Sequence, residues 1–206
     1  MSDCCSNKAC ELEALRHKQA AILKVALGIN AFMFAIEFSA GLLSGSVSLL
    51  ADSLDMLGDS LVYGFSIYAI AGSLRTKAIS ALLKGTIMVI FGLFAAGQVI
   101  YTLLTPHTPS YEAIGFIGML ALIANGICFV LLWRHRSDDI NMSSVWLCSR
   151  NDIIANFAVI AAAAGVWLTG SGWPDLIVGA GIAILFLRSA ATVIARATRE
   201  IHRAQP

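Results

Sequence analysis

The 206-residue chain is 58% apolar and only 13% charged, with a mean hydropathy of +0.78, whereas an ordinary soluble domain carries roughly 25% charged residues. That composition excludes a soluble globular fold and makes the chain one membrane-embedded domain in a lipid bilayer. A formal net charge of +1, with no basic run interleaved with aromatics, excludes a nucleic-acid partner.

In chain order, residues 1–19 are polar and read as a cytoplasmic tail. The apolar run that follows is too long for a signal-peptide core, so the N-terminus is expected to be retained. Five cysteines, three of them (Cys4, Cys5 and Cys10) within the first ten residues, form no disulfide framework and suggest the reducing side of a membrane. Residues 20–195 hold six segments near the roughly 20 apolar residues that a spanning helix needs: about Ala20–Leu43, Ser46–Ala71, Ala78–Leu104, Glu112–Trp133, Ser143–Leu168 and Pro174–Ile194. Residues 196–206 form a short C-terminal tail. The fold expected is all-α, with six transmembrane helices joined by turn-forming loops rich in Gly, Ser and Pro.

Basic residues orient these spans. Lys8, Arg16 and Lys18 precede the first, Arg75 and Lys77 follow the second, Arg134 and Arg136 the fourth, and Arg196, Arg199 and Arg203 the sixth. The other three loops contain no Lys or Arg, so both termini are expected on the cytoplasmic side.

The informative residues are the polar ones inside the spans. An Asp at a helix centre costs roughly 2.5 to 3.5 kcal/mol on the lenient insertion scale, and the second span carries three. Asp52, Asp55 and Asp59 are spaced by three and four residues, on one helical face. The fifth span places Cys148, Asp152 and Asn156 on one face at four-residue spacing. The two spans run in opposite directions, so Asp55 should lie level with Asp152, and Asp59 with Cys148. Layers one turn apart, about 5.4 Å, let Asp55, Asp59, Cys148 and Asp152 converge on one ion at about 2.0 to 2.3 Å. Asp52 and Asn156 extend the stripes as auxiliary positions on a metal or proton path. Simple charge pairing would need buried bases. Lys84 and Arg188 can snorkel, and Arg150 points about 200° away from the Cys148 and Asp152 face.

The string Ser46-Val47-Ser48-Leu49-Leu50-Ala51-Asp52-Ser53-Leu54-Asp55-Met56-Leu57-Gly58-Asp59 resembles the second-helix signature of the cation diffusion facilitator family. In the fifth span, Cys148 through Asp152, then Asn156, is similar to the family's H-x-x-x-D pattern followed by a small polar residue, with Cys148 where most members have His. Asn30, Glu37, Asn125 and Trp173-Pro174-Asp175 are supporting matches. The resemblance implies metal ligation by Asp55, Asp59, Cys148 and Asp152 and a homodimer. The chain ends soon after the sixth span, so the family's usual cytoplasmic metal-binding domain is not expected. The loop from Arg134 to Asp139 lacks the histidine run of many zinc-transporting relatives.

Three carboxylates and a thiol in a low-dielectric site hold protons as a coupled cluster, and a divalent cation displaces them. Proton-coupled efflux by alternating access around a midplane site follows, expected in a bacterial inner membrane. A thiolate among carboxylates suits Zn²⁺ or Cd²⁺ over Mg²⁺ and Ca²⁺, with cobalt, nickel or iron as alternatives. Cys4, Cys5 and Cys10 are candidate collectors of soft ions, or incidental residues of a disordered tail. Cys128 reads as packing and His107 as a solvated loop residue. An intramembrane aspartyl hydrolase using Asp59 and Asp152 fits poorly, because neither acid sits in a Gly-x-Gly-Asp context. A nontransporting sensor leaves the midplane acids unexplained. No enzymatic activity is expected.

Overall fold

The computed structural model of the protein describes the backbone of residues 3–69, 74–135 and 140–203, with side chains in most of it outside 3–17, 74–81 and 140–148. Six helices follow one another: α1 (Asp3–Ser44), α2 (Val47–Ala69), α3 (Leu74–Leu104), α4 (Tyr111–Trp133), α5 (Ile140–Thr169) and α6 (Trp173–Arg203). Five of them contain stretches long and apolar enough to cross a membrane. The protein is therefore an all-α, multi-pass membrane protein.

Helix α2, with its three aspartates, is the one outside that set, and its surroundings explain how it is tolerated. It packs against α1, α3, α5 and α6, and every residue from Ser46 to Leu54 is buried. A polar helix can lie at membrane depth when protein rather than lipid covers it. Helices α1, α4 and α5 stand around one side of α2, with α1 against both α2 and α4 and α4 against α5. On its other side, α3 and α6 pair closely with each other. Apolar side chains fill the seams, with Leu49, Leu54, Ile114, Val159 and Ile182 in one cluster and Leu23, Tyr63, Cys128 and Leu132 in another.

The expected spans lie within the observed helices almost everywhere, but several helices are longer. Helix α1 begins at Asp3, so the expected N-terminal tail continues the first helix. Its sequence has no Gly or Pro before Gly28 and is rich in Ala, Leu, Glu and Lys, which are good helix formers. The side chains of Cys4, Cys5 and Cys10 lie outside the described residues. Helix α6 likewise runs on to Arg203 rather than stopping near Ile194.

Three turns gather at one end of the bundle, termed here the loop end. The first joins α1 to α2. Gly45 adopts φ +71°, and the Ser46 N–H donates to the Gly41 carbonyl at 3.0 Å, the long bond of a Schellman stop, in which glycine enters the left-handed region without Cβ strain. Ser46 then caps α2, its hydroxyl accepting from the Leu49 N–H at 3.1 Å. The α5–α6 turn uses Gly170 in the same way, at φ +61°, its N–H donating to the Val166 carbonyl at 2.8 Å.

Asp175 on α6 ties two of these turns together. Its buried carboxylate accepts from the Val47 N–H at 2.7 Å and the Ser48 N–H at 3.3 Å, and from the hydroxyls of Ser46 and Ser48. An anion at a helix N-terminus satisfies free N–H groups and matches the helix dipole. The approach is close: a Cβ on Gly179, one turn along α6, would stand 2.9 Å from the Val47 backbone carbonyl carbon. The third turn joins through His107, expected as a solvated residue. It is exposed, yet its Nε2 lies 2.8 Å from the Gly45 carbonyl oxygen, because the α3–α4 loop folds across the α1–α2 turn.

Asp175→Ala would leave two N–H groups at the buried start of α2 without this acceptor. Losing the cap and its charge-assisted bonds should lower stability by about 2 kcal/mol or more, read as a lower unfolding midpoint in detergent. Asp175→Asn, which keeps one accepting oxygen, should lose less.

Candidate functional site

The three acids of α2 share a face but have different surroundings. Asp52 is 1% exposed, and its Oδ2 accepts from the Asn156 amide of α5 at 2.8 Å. The Asn156 oxygen in turn accepts from the Asn125 amide of α4 at 3.1 Å. Buried amides in a chain of this kind satisfy one another and fix the relative heights of three helices. Asp55 is half-buried. Asp59 is buried, and its Oδ2 accepts from the Tyr63 hydroxyl at 3.0 Å.

The Asp52–Asn156 bond sets the register between α2 and α5. These helices run in opposite senses, so regular helical spacing from this contact would bring Asp55 level with Asp152 one turn towards the chain termini and Asp59 level with the Cys148 backbone a further turn on. Asp152 is buried, and Tyr63 lies within electrostatic reach of both Asp59 and Asp152. Cys148 lies on α5 one turn from Asp152, but its side chain is outside the described residues. Among the described residues, no three of the His, Cys, Asp and Glu side chains are grouped closely enough to hold a metal ion.

Among the described residues, no Lys or Arg side chain is buried. Arg188 is exposed, as is Lys24 on α1, while the side chains of Lys84 and Arg150 lie outside the described residues. Asp52 is bonded to an amide, that of Asn156.

Two buried partners of the cluster escaped sequence reasoning. Tyr63 is 1% exposed and was detectable as a hydroxyl four residues beyond Asp59 on the same face. Glu37 on α1, a supporting family match only, is wholly buried, and its carboxyl group faces Asp52, with Asp55 the next acid. Neither Glu37 oxygen makes a hydrogen bond of good geometry. Cys128 is a buried packing residue, as expected, and its sulfur also accepts from the Asn30 amide at 3.6 Å.

A helical membrane bundle with aligned acids on two facing helices is the architecture of an ion transporter. The chain belongs to the cation efflux family, whose transmembrane-domain model matches residues 23–201, and this family comprises transporters rather than enzymes. Among similar proteins are zinc transporter ZitB of Escherichia coli (strain K12), 27% identical over 201 residues, and zinc transporter ZitB of Yersinia pestis, 24% identical over 197 residues. Each alignment covers 89% of this chain and 63% of the relative, so the chain spans less than two thirds of the length of these relatives.

The amide bridge is testable separately from transport. Interhelical polar contacts in membranes contribute about 0.6 kcal/mol on average and at most about 1.7. A double-mutant cycle of Asp52→Ala and Asn156→Ala, measured by unfolding in mixed micelles, should give a coupling energy in that range, whereas strictly additive effects would remove the bridge as a register-setting contact.

Proposed function

We propose that the chain exports a divalent heavy-metal cation, Zn²⁺ or Cd²⁺, from the cytoplasm in exchange for protons, through an intramembrane site of Asp55, Asp59, Cys148 and Asp152. The observation that carries this reading is the Asp52–Asn156 bond. It supports a register of α2 and α5 in which regular helical spacing would bring the four candidate ligands into two adjacent layers. The zinc transporters among the relatives support the substrate class. Ligand chemistry narrows it, because a thiolate among carboxylates suits borderline and soft ions over Mg²⁺ and Ca²⁺.

The proton coupling follows from the donor set. Thiolate and carboxylate are the ligating forms, so an arriving cation displaces protons, and protons returning from the other side help expel it. The bundle exposes the site to each side in turn, around six membrane crossings with both termini in the cytoplasm, as the loop charges favour. The setting is a bacterial inner membrane and the working unit a homodimer. Cys4, Cys5 and Cys10, at the start of α1, collect soft ions on the cytoplasmic side. Cobalt, nickel or iron by the same mechanism is the alternative cargo.

Purified protein in liposomes should move Zn²⁺ or Cd²⁺ with opposite proton movement. Asp59→Ala combined with Asp152→Ala should reduce flux at least about 100-fold, since losing even outer-shell partners of a metal costs roughly 10- to 100-fold. Flux that survives this change overturns the site. In the same assay, Cys148→His should shift preference from Cd²⁺ towards Zn²⁺, because imidazole is less soft than thiolate. An unchanged order across Zn²⁺, Cd²⁺, Co²⁺ and Ni²⁺ would reject Cys148 as the selectivity determinant.

A further inference from the structure

Glu37 is a wholly buried acid that the proposed metal site does not use. It lies about two turns before the end of α1 at Ser44, its carboxyl group facing Asp52 of α2, and neither of its oxygens has a hydrogen-bond partner of good geometry. A lone carboxylate in such surroundings is strongly disfavoured, and two facing carboxylates more so, since like charges this close do not both ionise without a cation. No described base supplies that cation. Helix α1 packs against α2 and α4. From α2, Glu37 meets Asp52 and, further off, Asp55; on α4, Glu112 is exposed at the loop end and Cys128 is bonded to Asn30. Around Asp52, α5 contributes the Asn156 amide with Asp152 one turn deeper. On α6, Asp175 is committed to capping α2 and Arg188 is exposed. On α3, Tyr101 is exposed.

We propose that Glu37 and Asp52 form a proton-binding station, sharing one proton between their carboxyl groups and lying one turn towards the loop end from the metal ligands. Asp52 already accepts from Asn156 through Oδ2, so it is the better-solvated carboxylate of the two, and Glu37 carries the shared proton. Enclosure argues for a proton rather than a second metal ion: Glu37 is 0% and Asp52 1% exposed, and a metal ion would need further ligands or waters beside the two carboxylates. A divalent cation bound at Asp55 attracts both carboxylates and favours release of the proton as H⁺; once the ion leaves, the same pair takes one proton back. Asp52 sits five residues into α2 from the loop end, about 8 Å at 1.5 Å per residue, so the refilling proton has the shorter path from that side.

The inference rests on the proton-coupled reading above, and the experiment separates the two. With full-length protein in liposomes, Zn²⁺ flux and H⁺ counterflow are measured across a series of pH gradients. In detergent, protons released per Zn²⁺ bound are counted in weak buffer. Wild type should couple the two flows. Glu37→Gln, which fixes the neutral state, should still bind Zn²⁺ but release about one proton fewer per ion and lose most of the dependence of flux on the pH gradient. Glu37→Asp should restore part of both. If wild type moves Zn²⁺ without H⁺, the coupled reading itself fails. If wild type couples and Glu37→Gln couples equally, the proton station alone is overturned. Should Glu37→Gln fail to fold, infrared spectra of wild type and Glu37→Asp decide: a protonated-carboxyl band that is lost on adding Zn²⁺ and shifted by Glu37→Asp supports the station, and bands that Glu37→Asp leaves unmoved overturn it.

Discussion

The arrangement of this bundle follows from the cost of placing carboxyl groups at membrane depth. Each acid of α2 is expensive in hydrocarbon, so the helix that carries them has to be surrounded by other helices. It is: α1, α3, α5 and α6 all pack against it, and the strongly apolar helices take the positions that face lipid. The exposed faces of the others show this, with Phe116, Ile123 and Val130 spaced along α4 and Ile177 and Ile184 along α6. Hydrophobicity alone does not drive helix association inside a bilayer, because lipid tails are as apolar as leucine. Polar contacts and close packing therefore carry much of the specificity, and they concentrate around α2.

Those contacts are unequally distributed along α2. At the loop end, the Asp175 cap, the His107 contact and the glycine turns draw the starts and stops of six helices together. Deeper in, the polar chain thins to the single line Asn125–Asn156–Asp52, and beyond it the acids Asp55, Asp59 and Asp152 follow. A rocking motion between helix groups meets more resistance where many charge-assisted bonds must break than where one amide contact links two helices. The loop end is thus the more firmly tied part of the domain, and motion about it displaces the deeper layers most.

Much of this was legible in the sequence because membrane constraints are severe. A run of about 20 apolar residues in a chain of this composition has few alternatives to a spanning helix, so all six helices were placed by counting. The i, i+3 and i, i+4 spacing of Asp52, Asp55 and Asp59 fixed their common face for the same reason. The helix ends were less legible. Hydropathy falls at Gln19 and again beyond Ile194, while the backbone continues helical in residues that are polar but still good helix formers. Long-range partners were the least legible. Nothing local to Asp175 says that its carboxylate caps a helix 128 residues earlier, and His107 between two prolines reads as solvent-facing until the fold brings Gly45 beneath it.

The same limit applies within the site, where sequence spacing assigns residues to a face but leaves their roles equal. The neighbours make the distinction. Asp52 is buried, bonded to Asn156 and faced by Glu37, Asp55 is only half-buried, and Asp59 is tethered by Tyr63. A cation entering from the terminal end of the bundle would meet Asp59 first, then Asp55, and would reach Asp52 only by displacing an amide that already occupies one of its oxygens. Binding at Asp52 would cost the bridge between α2 and α5, which sets this acid apart from the two that follow it on the same face.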